Sequence, residues 1–320
     1  MNVSVYAVCS MIFSAVLCIV SFALIVLFVM FSGICVPEAR NAVDLFLSSV
    51  LPVMFPFYVL SSVIVSGGFL SRVCAPLKSV TAKLFKLPPE CGVAVILGLL
   101  CGFPVGAKIT CDLKSRGDIT ADEAARLASF TNSVGPVFMA SVIGGTCFGN
   151  VRTGLILWLA VSISSLLSGI ILCNVNSRER ACASCLNIHQ YKAGKTDIPA
   201  SILSSMNTVL YVGAVIIFFA SLTSLLNLIP SLNAFAHSLL YSFLEITGGL
   251  TRLITDTHVS SLYVKCMLTA SFAAWSGCSV HMQVCGILSS EKVSLRYYFI
   301  GKIMQSVISP VITLIILLIL

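Results

Sequence analysis

The chain has 320 residues, 58% of them hydrophobic and only 10% charged, against about 25% charged in an ordinary soluble domain. A soluble fold this apolar would have no surface to offer water, so a soluble enzyme or binding module is excluded. The net charge of +7, spread over loops between apolar runs, speaks to membrane orientation and anionic headgroups and not to nucleic acid.

The first apolar run, 11–31, has no Lys or Arg before it and is too long for the core of a signal peptide, so it reads as a retained span. Five further segments reach the roughly 20 residues a helix needs to cross hydrocarbon: 50–70, 121–143, 151–173, 200–226 and 295–320. Asp122, Glu123 and Arg126 place the start of 121–143 at the interface.

Two other apolar stretches are interrupted. One, 92–113, is cut at Gly102-Phe103-Pro104-Val105-Gly106; the other, 262–288, is cut at Ser276-Gly277-Cys278-Ser279. A short arm, a Gly/Pro/Ser break and a second arm describe a re-entrant hairpin, tolerated at membrane depth only where protein or a water-filled cavity covers it.

These stretches suggest an internal repeat. Gly102, Val105 and Leu113 align with Gly277, Val280 and Leu288, and Pro136 aligns with Pro310. Each half opens with a span and continues with an interfacial stretch, 76–87 and 231–254. The positive clusters Arg72/Lys78/Lys83/Lys86, Lys114/Arg116 and Arg178/Arg180/Lys192/Lys195 fall on the cytoplasmic side by the positive-inside rule. That places the second repeat opposite to the first, with both termini inside, as in inverted-repeat secondary transporters. The expected fold is therefore all-α: an inverted-repeat bundle with two re-entrant hairpins and two proline-broken helices. Its parts are an N-terminal helix and connection (1–43), a first repeat (44–143), a connecting helix and loop (144–199) and a second repeat (200–320).

The 14 cysteines sit mostly in apolar runs, where a thiol behaves as a small hydrophobe. The polar trio Cys182, Cys185 and His189 lacks a fourth ligand, so no metal and no cofactor are expected. Phosphate-binding loops, zinc-protease motifs and nucleophile elbows are missing from the sequence, which leaves no nucleotide motor and no recognisable hydrolase.

Chemistry is expected at the breaks. Lys108, beside Pro104 and Gly106, is the sharpest residue, because an ammonium at membrane depth is costly and often marks a solute path; the plainer alternative is snorkelling to the interface. Thr131 and Asn132 match Gln305 and Ser306 of the repeat, and either line a site or tie helices together. Ser279, His281 and Gln283 form the matching polar group of the second break, with a packed neutral histidine an equal alternative. Glu245 reads as a carboxylate at headgroup level, and less readily as a coupling group.

The stretches LPVMFPFYVLSSVI, GLLCGFPVGAKI, FTNSVGPVF, EITGG and SGCSVHMQV resemble the YlbJ family of sporulation integral membrane proteins, from about residue 44 to the end. Val134-Gly135 departs from the pair expected there. The resemblance implies Gate domains, similarity to the concentrative nucleoside transporter fold, and a part in moving dipicolinic acid across the outer forespore membrane. Lys108 and half-helix N-termini would then face the carboxylates of this small aromatic dianion, with Phe103 as a ring surface. The competing readings are a Gate-type carrier of a nucleoside or metal ion and a non-transporting scaffold. The expected partners are a small anion and membrane lipid, with self-association left open.

Overall fold

A computed structural model describes residues 2–66, 75–175, 197–229, 233–255 and 259–320. Cys182, Cys185 and His189 lie outside them. The described residues form an all-α membrane protein. Four helices are long and apolar enough to cross a bilayer: Ser32–Ser66, Val151–Asn174, Ile198–Leu228 and Arg296–Ile319. In chain order the helices are α1 (Asn2–Met30), α2 (Ser32–Leu45) and α3 (Leu51–Ser66), the last two joined by a π-helical turn. A short helical stretch at 75–85 precedes α4 (Cys91–Cys101) and α5 (Val105–Ser115). Then come α6 (Ala121–Ala128), a π-helix (Phe138–Cys147), α7 (Val151–Asn174) and α8 (Ile198–Ser224). The remaining helices are α9 (Ala234–Leu244), α10 (Ile246–Thr255), α11 (Leu262–Trp275), α12 (Gly277–Ser290) and α13 (Arg296–Ile319).

The 121–143 stretch is not one helix. A capping box starts α6: Glu123 N donates to Thr120 Oγ1 at 3.3 Å, and Thr120 N donates to Glu123 Oε2 at 2.8 Å. The helix stops after Ala128, and residues 129–135 run without regular structure before helix resumes at Pro136 and passes into the π-helix. Pro136 explains the C-terminal end of this gap, since the residue before a proline is pushed out of the helical region.

The expected break at Pro310 does not occur: α13 runs unbroken through it. A proline withdraws the donor that would bond the carbonyl four residues back, here Ser306. Ser271 on α11 supplies that donor instead, its Oγ lying 2.8 Å from Ser306 O. The helix can therefore keep its course.

The two interrupted stretches also differ. Helices α4 and α5 fold back on one another as a packed hairpin. Helices α11 and α12 diverge at Ser276 and hardly touch: α11 packs on α13 and α7, α12 on α5, α8 and α9. Helix α11 runs antiparallel to α13, with Ser309 Oγ donating to Ala270 O at 3.0 Å and Lys302 Nζ donating to Ala274 O at 3.2 Å. Helix α12 then continues beside α5 in the same direction, with Cys111 Sγ 3.2 Å from Ile287 O and Lys114 Nζ 2.5 Å from Glu291 O. The stretch is thus a kinked passage from one end of the bundle to the other, not a hairpin. Two arms of 14 residues each give it the length.

This corrects the expected inversion. Helices α5 and α12, the second arms of the two repeats, run parallel side by side, whereas an inverted repeat would oppose them. Glu291 lies at the end that carries Lys114, so α13 starts there and its last residues lie at the opposite end. Lys292 and Arg296 join Lys114 and Arg116 at that end.

Candidate functional site

The irregular segment 129–135 threads between the arms of the α4–α5 hairpin. Thr131 O lies where a side chain would stand on either arm: a Cβ at Gly98 would be 2.1 Å from it, and one at Gly106 2.0 Å. Only glycine admits the strand of backbone this closely. Its freed groups then find partners, as buried polar groups must.

Asn132 closes the hairpin's second arm. Its Oδ1 accepts from Ala107 N at 2.7 Å in the first turn of α5, and its Nδ2 donates to Ala128 O at 3.1 Å. Thr131 Oγ1 donates to Leu127 O at 3.0 Å. Both are fully buried. Asn132 is thus an N-terminal partner of α5.

Lys302 stands against the same segment, and the sequence reading passed over it. It lies on α13, 1% exposed. Its Nζ donates to Asn132 O, to Ser276 Oγ at 2.9 Å and to Ala274 O at 3.2 Å. Three donors meet three oxygens, which is the full valence of an ammonium. All three acceptors are neutral, and among the described residues no carboxylate pairs with this lysine. Ser276 has φ 78°, in the left-handed region. Such a conformation costs about 1–3 kcal/mol in a non-glycine residue and persists where surroundings impose it; here it presents Oγ to Lys302.

Two helix N-termini converge on this lysine. Helix α5 starts beside Asn132, and α12 starts at Gly277 immediately after Ser276. Each end carries partial positive charge. Gln305, one turn from Lys302, donates through Nε2 to Ser129 O at 2.8 Å and Ser168 Oγ at 3.1 Å. Gln305 Oε1 and Ser133 Oγ are buried without partners. Thr131, Asn132 and Gln305 are therefore brought together with Lys302; Pro104 lies in the adjoining hairpin turn and Gly106 in the first turn of α5.

Other expected residues lie elsewhere. Lys108 points away, with its Nζ 2.5 Å from Asp112 Oδ1 on the same helix. His281 Nδ1 is 2.8 Å from Tyr298 OH, and its ring stands edge-on to Trp275 at 4.3 Å. It belongs to an aromatic cluster with Phe299, although its Nε2 is left without a partner. Ser279 and Gln283 are buried on α12. Ser306 is half-buried, its hydroxyl bonded within its own helix to Ile303 O at 2.8 Å. Phe103 is half-buried in the hairpin turn. Glu245 caps α10: its two oxygens accept from Thr247 N at 2.9 Å and Gly248 N at 2.7 Å.

A second polar region opens between α5, α8 and α12, a cleft of about 280 Å³ holding Lys108, Asp112 and Glu291. Among the described residues no cluster of three or more His, Cys, Asp or Glu could hold a metal ion.

No protein-family model matches the chain, and no solved structure matches it. The chain is similar to the sporulation integral membrane protein YlbJ of Bacillus subtilis (strain 168), with 27% identity over 308 residues, covering 85% of this chain and 75% of the relative. That similarity, with the apolar helices, supports a sporulation-related integral membrane protein of the YlbJ family.

Proposed function

We propose that this YlbJ-family chain carries a small organic anion across a membrane during spore formation, with dipicolinic acid as the solute and the outer forespore membrane as its place of work. One observation carries the reading: Lys302 is buried at the kink of a membrane bundle with neutral acceptors only, and two helix N-termini add positive potential around it. A buried cation without a counter-charge is expensive. A structural lysine would be better served by a carboxylate, and a carboxylate brought by a solute would bond it about twice as strongly as a neutral oxygen does. Ser133 Oγ and Gln305 Oε1 add unspent hydrogen-bonding capacity nearby.

The breaks supply the means of movement. Residues 129–135 are held by hydrogen bonds outside any helix, and α11 and α12 meet at the single residue Ser276. A carboxylate that draws Lys302 away from Asn132 O and Ser276 Oγ loosens both breaks at once. Lys302 and Gln305 are shut off from solvent.

The test is flux in proteoliposomes holding the purified chain. Labelled dipicolinate, a nucleoside and a divalent cation are offered separately. Protein-dependent uptake of the dicarboxylate is the expected result. Uptake of the nucleoside or the cation alone would favour the Gate-type alternatives, and uptake of none a scaffold.

A further inference from the structure

The cleft between α5, α8 and α12 contains an ion pair that the Lys302 centre does not use. Lys108, 5% exposed, donates from Nζ to Asp112 Oδ1. The other oxygen of that carboxylate, Oδ2, is buried and has no partner. An ionised carboxylate accepts at both oxygens, and leaving one of them empty and desolvated is costly. Yet the Asp112 side chain as a whole is 20% exposed, through the cleft, so water and protons reach it.

The charges around it are few. From its own helix come Lys108 and Lys114, the latter held on Glu291 O at 2.5 Å. Glu291 at the end of α12 lines the same cleft and acts on Asp112 as a like charge. Arg116 is engaged with Asp118 at 3.0 Å. From α8 the neutral Tyr211, bonded to Met282 O at 2.8 Å, lines the same cleft. Among the described residues, Lys108 is the cation in direct contact with this carboxylate.

We infer that Asp112 is a proton-binding residue whose protonation releases Lys108 to take a solute carboxylate in the cleft. The inference rests on the anion-carrier reading for the identity of that solute, while the proton site stands on its own geometry. In the step, one proton from the aqueous side forms an O–H bond at Oδ2 and the Lys108–Asp112 ion pair breaks. The Lys108 ammonium then pairs with the incoming carboxylate, whose charge the added proton balances; the second carboxylate of a dianion adds one negative charge to the cleft. The neutral acid can donate from Oδ2, which an ionised carboxylate cannot. The cleft thus takes an anion and a proton together, and Asn207 and Ser204 on its α8 wall offer further hydrogen bonds.

Two measurements decide it, both on the full chain in detergent. Infrared difference spectra between alkaline and acid pH should show a carboxylic-acid C=O band that Asp112→Asn removes and Glu291→Gln leaves in place. Dipicolinate binding, measured by calorimetry in buffers of differing ionisation enthalpy, should take up one proton per anion, so that on the alkaline side Kd rises roughly tenfold for each unit rise in pH. In Asp112→Asn the binding should persist with no proton uptake, and in Lys108→Gln the proton-linked binding should be lost. The infrared band unchanged in Asp112→Asn, or an unchanged proton uptake there, overturns the inference. Dipicolinate failing to bind the wild type while the Asp112 band is present overturns the coupling and, with it, the carrier reading; the band lacking while dipicolinate binds overturns the proton site alone.

Discussion

Lys302 on the last helix donates a hydrogen bond to the backbone carbonyl of Asn132, 170 residues earlier in the chain. Through this bond the lysine of α13 holds the irregular segment that parts the α4–α5 hairpin. Asn132 itself turns its side chain the other way, onto the first turn of α5. One residue thus links a buried cation to a helix N-terminus, the backbone serving one and the side chain the other.

Asn132 separates structural from electrostatic roles. Asn132→Ala removes the acceptor of Ala107 N and should lower stability by about 1 kcal/mol, the usual cost of losing an N-terminal cap. Asn132→Asp keeps that acceptor and places a negative charge near Lys302. The expected outcome is thermal stability within a few degrees of the wild type, with uptake of a dicarboxylate strongly reduced. Thermal melts of the purified variants beside flux assays check both, and full flux in a folded Asn132→Asp protein would count against an anion site here.

Gly106→Ala should be poorly tolerated. Its new methyl group would meet Thr131 O at 2.0 Å, and backbone on both sides leaves little room to yield. Overpacking of this kind costs roughly 1–3 kcal/mol or more. Gly33→Ala, with nothing within 4 Å, is the control. The yield of monodisperse protein on size exclusion should drop for the first and not for the second.

Ser271 and Pro310 should be coupled. Ser271→Ala leaves Ser306 O without its donor and should cost about 1–3 kcal/mol. Pro310→Ala restores the ordinary helical donor, so the serine should then matter less. A double-mutant cycle should show an interaction of at least about 0.5 kcal/mol. Strict additivity would mean that the serine does not substitute for the missing N–H.

The parallel course of α5 and α12 fixes which loops share a face. With native cysteines removed, single cysteines at Lys114 and Lys292 should be labelled by an impermeant reagent from the same side of the membrane, and one near Leu320 from the other. Opposite labelling of Lys114→Cys and Lys292→Cys would restore the inverted arrangement.

Much of the fold was legible in the apolar runs, because a bilayer leaves helices few alternatives. The α4–α5 hairpin and the break ahead of Pro136 were legible too, since both depend on local Gly and Pro chemistry. The continuity of α13 was not, because it depends on Ser271, 35 residues from the carbonyl it serves. The relation of the two arms at Ser276 was also hidden: a Ser-Gly break looks alike in a hairpin and in a kink, and only tertiary partners choose. Within the site, Asn132, Thr131 and Gln305 followed from polar residues beside breaks. Lys108 was singled out for its place next to a break, but its neighbour one turn on, Asp112, already answers its charge. Lys302 carried the same signal, an ionisable residue within an apolar span. It was masked by lying six residues after Arg296, where a lysine reads as part of a basic helix end.

The most direct measurement compares initial rates of dipicolinate uptake into proteoliposomes for the wild type and Lys302→Gln, each reconstituted at matched, folded amounts. Loss of a charged hydrogen bond to a desolvated carboxylate removes about 1.5–3 kcal/mol. Uptake at low solute concentration should therefore fall by roughly tenfold or more, while thermal melting shows the glutamine variant still folded. Wild-type uptake by folded Lys302→Gln would contradict the anion site at Lys302.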